Sequence, residues 1–136
     1  MKITFILLLI LFSGCDSTPK HNGIICLRGV VVLETGKPVS GAPVVLYEDI
    51  SHQFNLYPKS DRKIAEIKTN ENGEFTLSSE DSTPLDRLKL VAESKKRIIE
   101  TAPYTYKVIF DNGTVRNPSK DAINKIVVPK TFIPAK

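Results

Sequence analysis

Residues 36–47 read GKPVSGAPVVLY, and residues 65–75 read AEIKTNENGEF. Each stretch has the composition of a tight turn between two strands, because glycine, asparagine and proline supply the backbone angles that turns need. Apolar residues beside each turn alternate with polar ones, which is the period of a strand with one buried face. These two corners predict an all-β protein, folded as a small β-sandwich.

Short apolar stretches separated by turn residues predict seven or eight strands in all. We expect them at 24–34, 42–48, 64–69, 74–78, 88–93, 97–101, 104–110 and 123–128. The Arg28-Gly29 pair suggests a bulge or a crossing at a sheet edge, and residues 82–84 suit the start of a short helix. The side chains that we expect to face the core are Val44, Leu46, Ile67, Phe75, Leu77, Leu90, Val108 and Phe110.

The N-terminus has the features of an export signal. A charged start precedes a ten-residue apolar segment at 3–12, which is too short to span a bilayer. Cleavage after Ser17 would make residues 1–17 the signal peptide, 18–23 a tether and 24–133 the folded domain, and would leave the protein secreted. The alternative is a bacterial surface lipoprotein, because FSGC at 12–15 approximates a lipobox. Cys15 would then be acylated and would anchor the domain to a membrane.

Residues that could carry out chemistry are few. His21 and His52 have no metal-ligand motif beside them, and loop carboxylates such as Glu80 and Asp81 lack a regular ligand spacing. We expect Cys26, which has aliphatic neighbours, to be a small buried apolar residue. No phosphate-binding loop, nucleophile elbow or dinucleotide fingerprint occurs. The sequence therefore predicts no catalytic residue, no metal and no cofactor.

Residues 36–49 follow the pattern GKPxxGxxVxLYED, and residues 65–77 follow AExKTxxxGxFxL. With IVVPKTFI at 126–133, these motifs resemble the secreted transthyretin-like proteins of nematodes. Bacterial carboxypeptidase-regulatory-like domains share the same corners and are the alternative relatives, in line with the lipoprotein alternative. The resemblance implies a transthyretin-like or immunoglobulin-like sandwich that binds an extracellular or cell-surface partner without catalysing a reaction.

One relative of that fold, 5-hydroxyisourate hydrolase, is an enzyme, and residues 31–35 (VVLET) look similar to its first strand. Val31 or Val32 stands where that family has a catalytic histidine, and the chain ends in FIPAK instead of a Tyr-Arg-Gly-Ser tail. Both departures remove groups needed for proton transfer. We therefore expect no enzymatic activity, and this hydrolase is the least favoured alternative.

The candidate binding site is the polar loop at 49–63, because loops on a rigid sandwich are common recognition sites. An extracellular protein or an anionic lipid surface is the expected partner; the other interpretation is that the loop aromatics cover the end of the core. The proposed binding residues in this loop are Phe54, Tyr57, Lys59, Arg62 and Lys63.

The net charge of +4 is mild, so no nucleic-acid partner is expected. We expect the basic run at 95–97 to be a solvated turn. Asn112 begins an N-glycosylation sequon.

Overall fold

A computed structural model describes residues 25–49, 61–103 and 105–136 of the chain. Within those residues the protein is all-β, with nine strands and a single 3-10 turn at Leu85–Arg87. The strands, in chain order, are β1 (Ile25–Leu33), β2 (Pro43–Glu48), β3 (Arg62–Lys68), β4 (Glu74–Ser79), β5 (Leu88–Ala92), β6 (Lys96–Ala102), β7 (Thr105–Phe110), β8 (Gly113–Arg116) and β9 (Asn124–Val128).

The strands form two larger sheets and one separate ribbon. One sheet has the order β4-β1-β9 and the other has the order β3-β2-β5-β8. All pairs are antiparallel except β1 with β9, which run parallel. These two sheets enclose one apolar core, so the fold is the all-β sandwich that the sequence predicts. Strands β6 and β7 pair with each other alone and form a two-stranded ribbon outside both sheets.

The core consists of side chains from the inner faces of both sheets. From Ile25 to Val31 every second residue of β1 is buried, as the two-residue period of a strand requires when one face is covered. Burying each large aliphatic side chain stabilises the fold by roughly 1.5–3 kcal/mol. The fully buried core residues include Leu27, Val31, Val44, Leu46, Leu77, Leu90, Ile126 and Val128.

Gly29 lies in β1 where the neighbouring strands leave no room for a side chain. A β-carbon at this position would lie 2.3 Å from the Asn124 carbonyl oxygen and 2.4 Å from the Phe75 ring. Only glycine leaves room for Phe75 there. The expected bulge or edge crossing is wrong, because β1 is the central strand and Gly29 pairs regularly with both neighbours.

Thr69 joins the two turn-rich corners to each other. Its side chain is buried, and its hydroxyl accepts a hydrogen bond from the Ala42 amide at 2.8 Å and donates one to the Val39 carbonyl at 2.7 Å. In the second corner, the Asn70 side-chain oxygen accepts hydrogen bonds from the amides of Asn72 and Glu74. The corners are therefore one hydrogen-bonded unit.

The predicted core is confirmed at five of its eight positions: Val44, Leu46, Phe75, Leu77 and Leu90 are buried. Ile67 shares a face with Val44 but is 37% exposed, because β3 is an edge strand. Val108 and Phe110 are 51% and 59% exposed. The expectation for these two is wrong because β7 belongs to the ribbon, which neither sheet covers.

Three smaller expectations also differ from the structure. Cys26 is on the outer face of β1 and is only partly buried, so it is not an apolar core residue. The basic run at 95–97 is not a turn, because β6 begins at Lys96. Strand β8 was not expected, since its four residues are too few to show a period. The expected short helix is present as the 3-10 turn, which begins after Pro84.

Candidate interaction surface

The ribbon formed by β6 and β7 carries four large apolar side chains that are exposed on one face. In its register Ile98 is opposite Val108, Lys96 is opposite Phe110 and Glu100 is opposite Tyr106. Directly opposite residues, and every second residue along each strand, share a face. We call the set formed by these six residues the apolar face.

Its four apolar members are all more than half exposed. The values are 58% for Ile98, 68% for Tyr106, 51% for Val108 and 59% for Phe110. Four such side chains on neighbouring positions form a patch of roughly a few hundred Å², comparable to the largest patch on a typical monomer, which is often functional. A two-stranded hairpin alone in water is at best marginally stable, so covering this face would also stabilise the ribbon.

The opposite face of the ribbon combines two half-buried isoleucines with two long cationic side chains. Ile99 and Ile109 are half-buried there, and the long side chains of Arg97 and Lys107 lie directly across the strands from them. Both Arg97 nitrogens that face Asp111 lie 3.3 Å from its carboxylate oxygens. The aliphatic stems of such cations cover apolar neighbours while their charged ends remain in water. This second face is therefore solvated and does not need a partner.

A polar cluster around the buried Ser94 and Asp111 fixes the base of the ribbon on the sandwich. The Ser94 hydroxyl accepts a hydrogen bond from the Asp111 amide at 2.7 Å, and the Ser94 amide donates one to the Asn112 side-chain oxygen at 2.7 Å. Ser94 also pairs with Pro134, and the Lys95 amide donates to the Ile133 carbonyl. Both strands and the C-terminal residues are thus tied together where the ribbon begins.

The loop predicted to bind a partner lies mostly outside the described residues, and Phe54, Tyr57 and Lys59 are among those outside. Arg62 and Lys63 belong to β3 instead. The Lys63 ammonium group lies 2.5 Å from the Glu66 carboxylate, and hydrogen bonding to it raises the pKa of Lys63.

Arg62 is at the centre of a larger polar cluster. Its guanidinium donates to Asp81 at 3.0 Å, to Thr83 at 3.0 Å and to Glu48 at 3.3 Å. The hydrogen bond from Arg62, and then those from Thr83, hold the pKa of the Asp81 carboxyl well below its usual range. Both cations of the predicted loop that the structure describes therefore have acidic partners, which reduces their attraction for an anionic surface.

The other residues singled out in the sequence are the glycosylation site, the lipidation site, the two histidines and the Val31-Val32 pair. Asn112 is exposed between β7 and β8, so its sequon is accessible, and glycosylation stays a prediction. Cys15, His21 and His52 lie outside the described residues. Val31 is fully buried in the core and Val32 is 8% exposed.

The described part of the chain also lacks two kinds of feature. No group of three or more histidine, cysteine, aspartate or glutamate residues is placed to hold a metal ion there. None of its helical residues form a segment long and apolar enough to cross a bilayer.

No protein-family model matches this chain, and no curated protein matches it. Two solved structures are distantly similar. A 9R-lipoxygenase from Cyanothece PCC8801 aligns with 96% of this chain at 12% identity and a TM-score of 0.43. A 3-chlorocatechol 1,2-dioxygenase from Rhodococcus opacus 1CP aligns with 84% at 14% identity and a TM-score of 0.39. The chain spans 20% of the first and 62% of the second.

The apolar face is the feature that sequence reasoning missed. The alternation of Tyr106, Val108 and Phe110 correctly predicts a strand with one apolar side, but it does not show whether that side is covered. Polar residues also flank the two strands in the sequence. Ser94 precedes residues 95–110 and Asp111 follows them, and the two are hydrogen-bonded at the base of the ribbon.

Proposed function

We propose that this protein is exported from the cytoplasm and acts as a non-catalytic binding module. In this proposal the sandwich is a rigid scaffold, and the apolar face of the ribbon engages a partner outside the cell or at its surface. The observation that carries the proposal is the exposure of Ile98, Tyr106, Val108 and Phe110 on one face. Apolar residues exposed singly need no explanation on a soluble protein, whereas the largest contiguous apolar patch is often functional.

Two further observations support the proposal. The apolar segment at 3–12 has the length and flanking charge of a secretory signal. At the positions where the hydrolase relatives of the resembled fold carry a histidine, Val31 and Val32 are apolar and buried, so neither is a proton-transfer group. Secretion is the favoured route of export.

Photo-crosslinking in cells that export the protein tests this proposal. Benzoylphenylalanine would replace Val108, on the apolar face, or Lys107, the adjacent residue on the opposite face. We expect covalent adducts at position 108 in several-fold greater yield than at position 107, because only position 108 contacts the partner. The two positions share one strand, so position 107 controls for expression, folding and general accessibility. Equal, low yields at both positions would contradict the proposal.

A further inference from the structure

The apolar face has a symmetric pattern of residues. Ile98 and Val108 are opposite each other at its centre. Lys96 and Glu100 lie two residues to either side of Ile98 on β6, while Tyr106 and Phe110 lie two residues to either side of Val108 on β7. A two-residue step along a strand is about 7 Å, so each flanking residue is equally far from the centre.

We propose that the partner of this face is a second copy of the same chain, packed face to face about a two-fold axis. The inference rests on the proposed function, because it takes the ribbon as the binding surface. The axis passes between the two ribbons at the Ile98–Val108 pair and runs perpendicular to the strands. Symmetric dimers of this kind use one self-complementary patch on both subunits.

The charges on the face fit this arrangement. Rotation about the axis places Lys96 of each copy opposite Glu100 of the other, so two opposite-charge contacts form at once. The same rotation places Tyr106 opposite Phe110, an aromatic contact on each side of the centre. Neither Lys96 nor Glu100 forms an ion pair with another described residue. Both charges are therefore available to the second copy.

The charge balance also favours a protein partner over an anionic lipid surface. The apolar face carries one cation and one anion, so its net charge is zero. The other cations of the ribbon, Arg97 and Lys107, are on the opposite face, and Arg97 already pairs with Asp111. A face that attracted lipid headgroups by charge would carry its unpaired cations beside the apolar residues.

The small area of the apolar face indicates that the two copies associate weakly. Two patches of roughly a few hundred Å² each bury less than the ~1,200 Å² typical of stable interfaces. The dimer is therefore weak and depends on protein concentration, with a dissociation constant in the micromolar range or above.

Sedimentation velocity on the processed chain tests the inference, over concentrations from about 1 μM to about 1 mM. The variants are Lys96→Glu, Glu100→Lys and the double exchange of both residues, with Lys107→Glu as a control on the opposite face. Each single variant should raise the dimer dissociation constant about tenfold or more, because two attractive contacts become two repulsive ones. The double exchange should restore dimerisation to near the wild-type level, and Lys107→Glu should leave it unchanged.

Several results would overturn the inference. One is a wild-type chain that stays monomeric throughout; another is a double exchange that associates no better than the single variants. Binding of the monomer to phosphatidylglycerol vesicles through the same face would identify a lipid partner instead. A monomeric chain that still crosslinks through position 108 to a different protein would overturn only the self-association, whereas absence of both signals would also remove the proposed function.

Discussion

Thr69 shows how a single polar residue fixes the geometry of the fold. Its buried hydroxyl accepts a hydrogen bond from the Ala42 amide and donates one to the Val39 carbonyl. The Thr69 amide and carbonyl also bond to Ala42 and Gly41. Thr69, which directly follows β3, therefore holds residues 39–42, the segment that leads into β2.

We expect Thr69→Val to destabilise the protein by about 1–3 kcal/mol, because the Ala42 amide and the Val39 carbonyl would lose their partner in a buried place. Valine has nearly the same shape, so the change isolates the hydroxyl. Urea unfolding measures the loss, and Thr69→Ser, which keeps the hydroxyl, is the control. If the valine variant were as stable as the wild type, the two corners would not depend on this link.

At the scale of elements, the Arg62 cluster connects an edge strand to the segment that follows β4. Arg62 is on β3, whereas Asp81 and Thr83 lie between β4 and the 3-10 turn. Arg62 is half exposed, so solvent and salt weaken the pair. The contact orients the edge of the sandwich and adds little to its core stability.

The lowered pKa of Asp81 predicts how this contact depends on pH. A carboxyl whose pKa is lower in the folded than in the unfolded state stabilises the fold above the unfolded value, which is about 4. That contribution is lost as the pH falls below it. The thermal midpoint of Asp81→Asn should therefore lie below that of the wild type at pH 7, and the difference should shrink as the pH falls through about 4 and below. A difference independent of pH would contradict this assignment.

The elements that the sequence predicts well are those whose signals are local. The turns at Gly36 and Gly73 require positive φ values of 92° and 72°, and glycine marks them. The alternation on β1 and β4 correctly gives their buried faces. Alternation shows that a strand has one apolar side, but not what covers that side, so it cannot distinguish the exposed Val108 from a core residue.

Long-range contacts account for most of what could not be predicted at the candidate sites. Arg62 and Asp81 are 19 residues apart, and no local pattern pairs them. The charge of Arg62 therefore looked available for binding in the sequence. The symmetric pattern around Ile98 likewise appears only when the register of β6 with β7 is known, because it joins residues from two strands.

At the scale of the whole molecule, the described chain divides into a sandwich with its own closed core and a ribbon that projects from it. The core cluster draws its buried side chains from both sheets and includes none from β6 or β7. Substitutions on the apolar face should therefore change binding and leave the sandwich intact. The proposed binding surface is therefore separate from the residues that stabilise the sandwich.

The thermal stabilities of two matched valine variants, measured at dilute concentration, test this separation most directly. Val44 is fully buried and Val108 is 51% exposed. Val44→Ala should lower the stability by about 2 kcal/mol or more, since it opens a cavity in the core. Val108→Ala should cost less than about 1 kcal/mol, as expected of a surface position. Comparable losses in the two variants would show that β7 packs in the core and would contradict the account of the ribbon as an exposed binding surface.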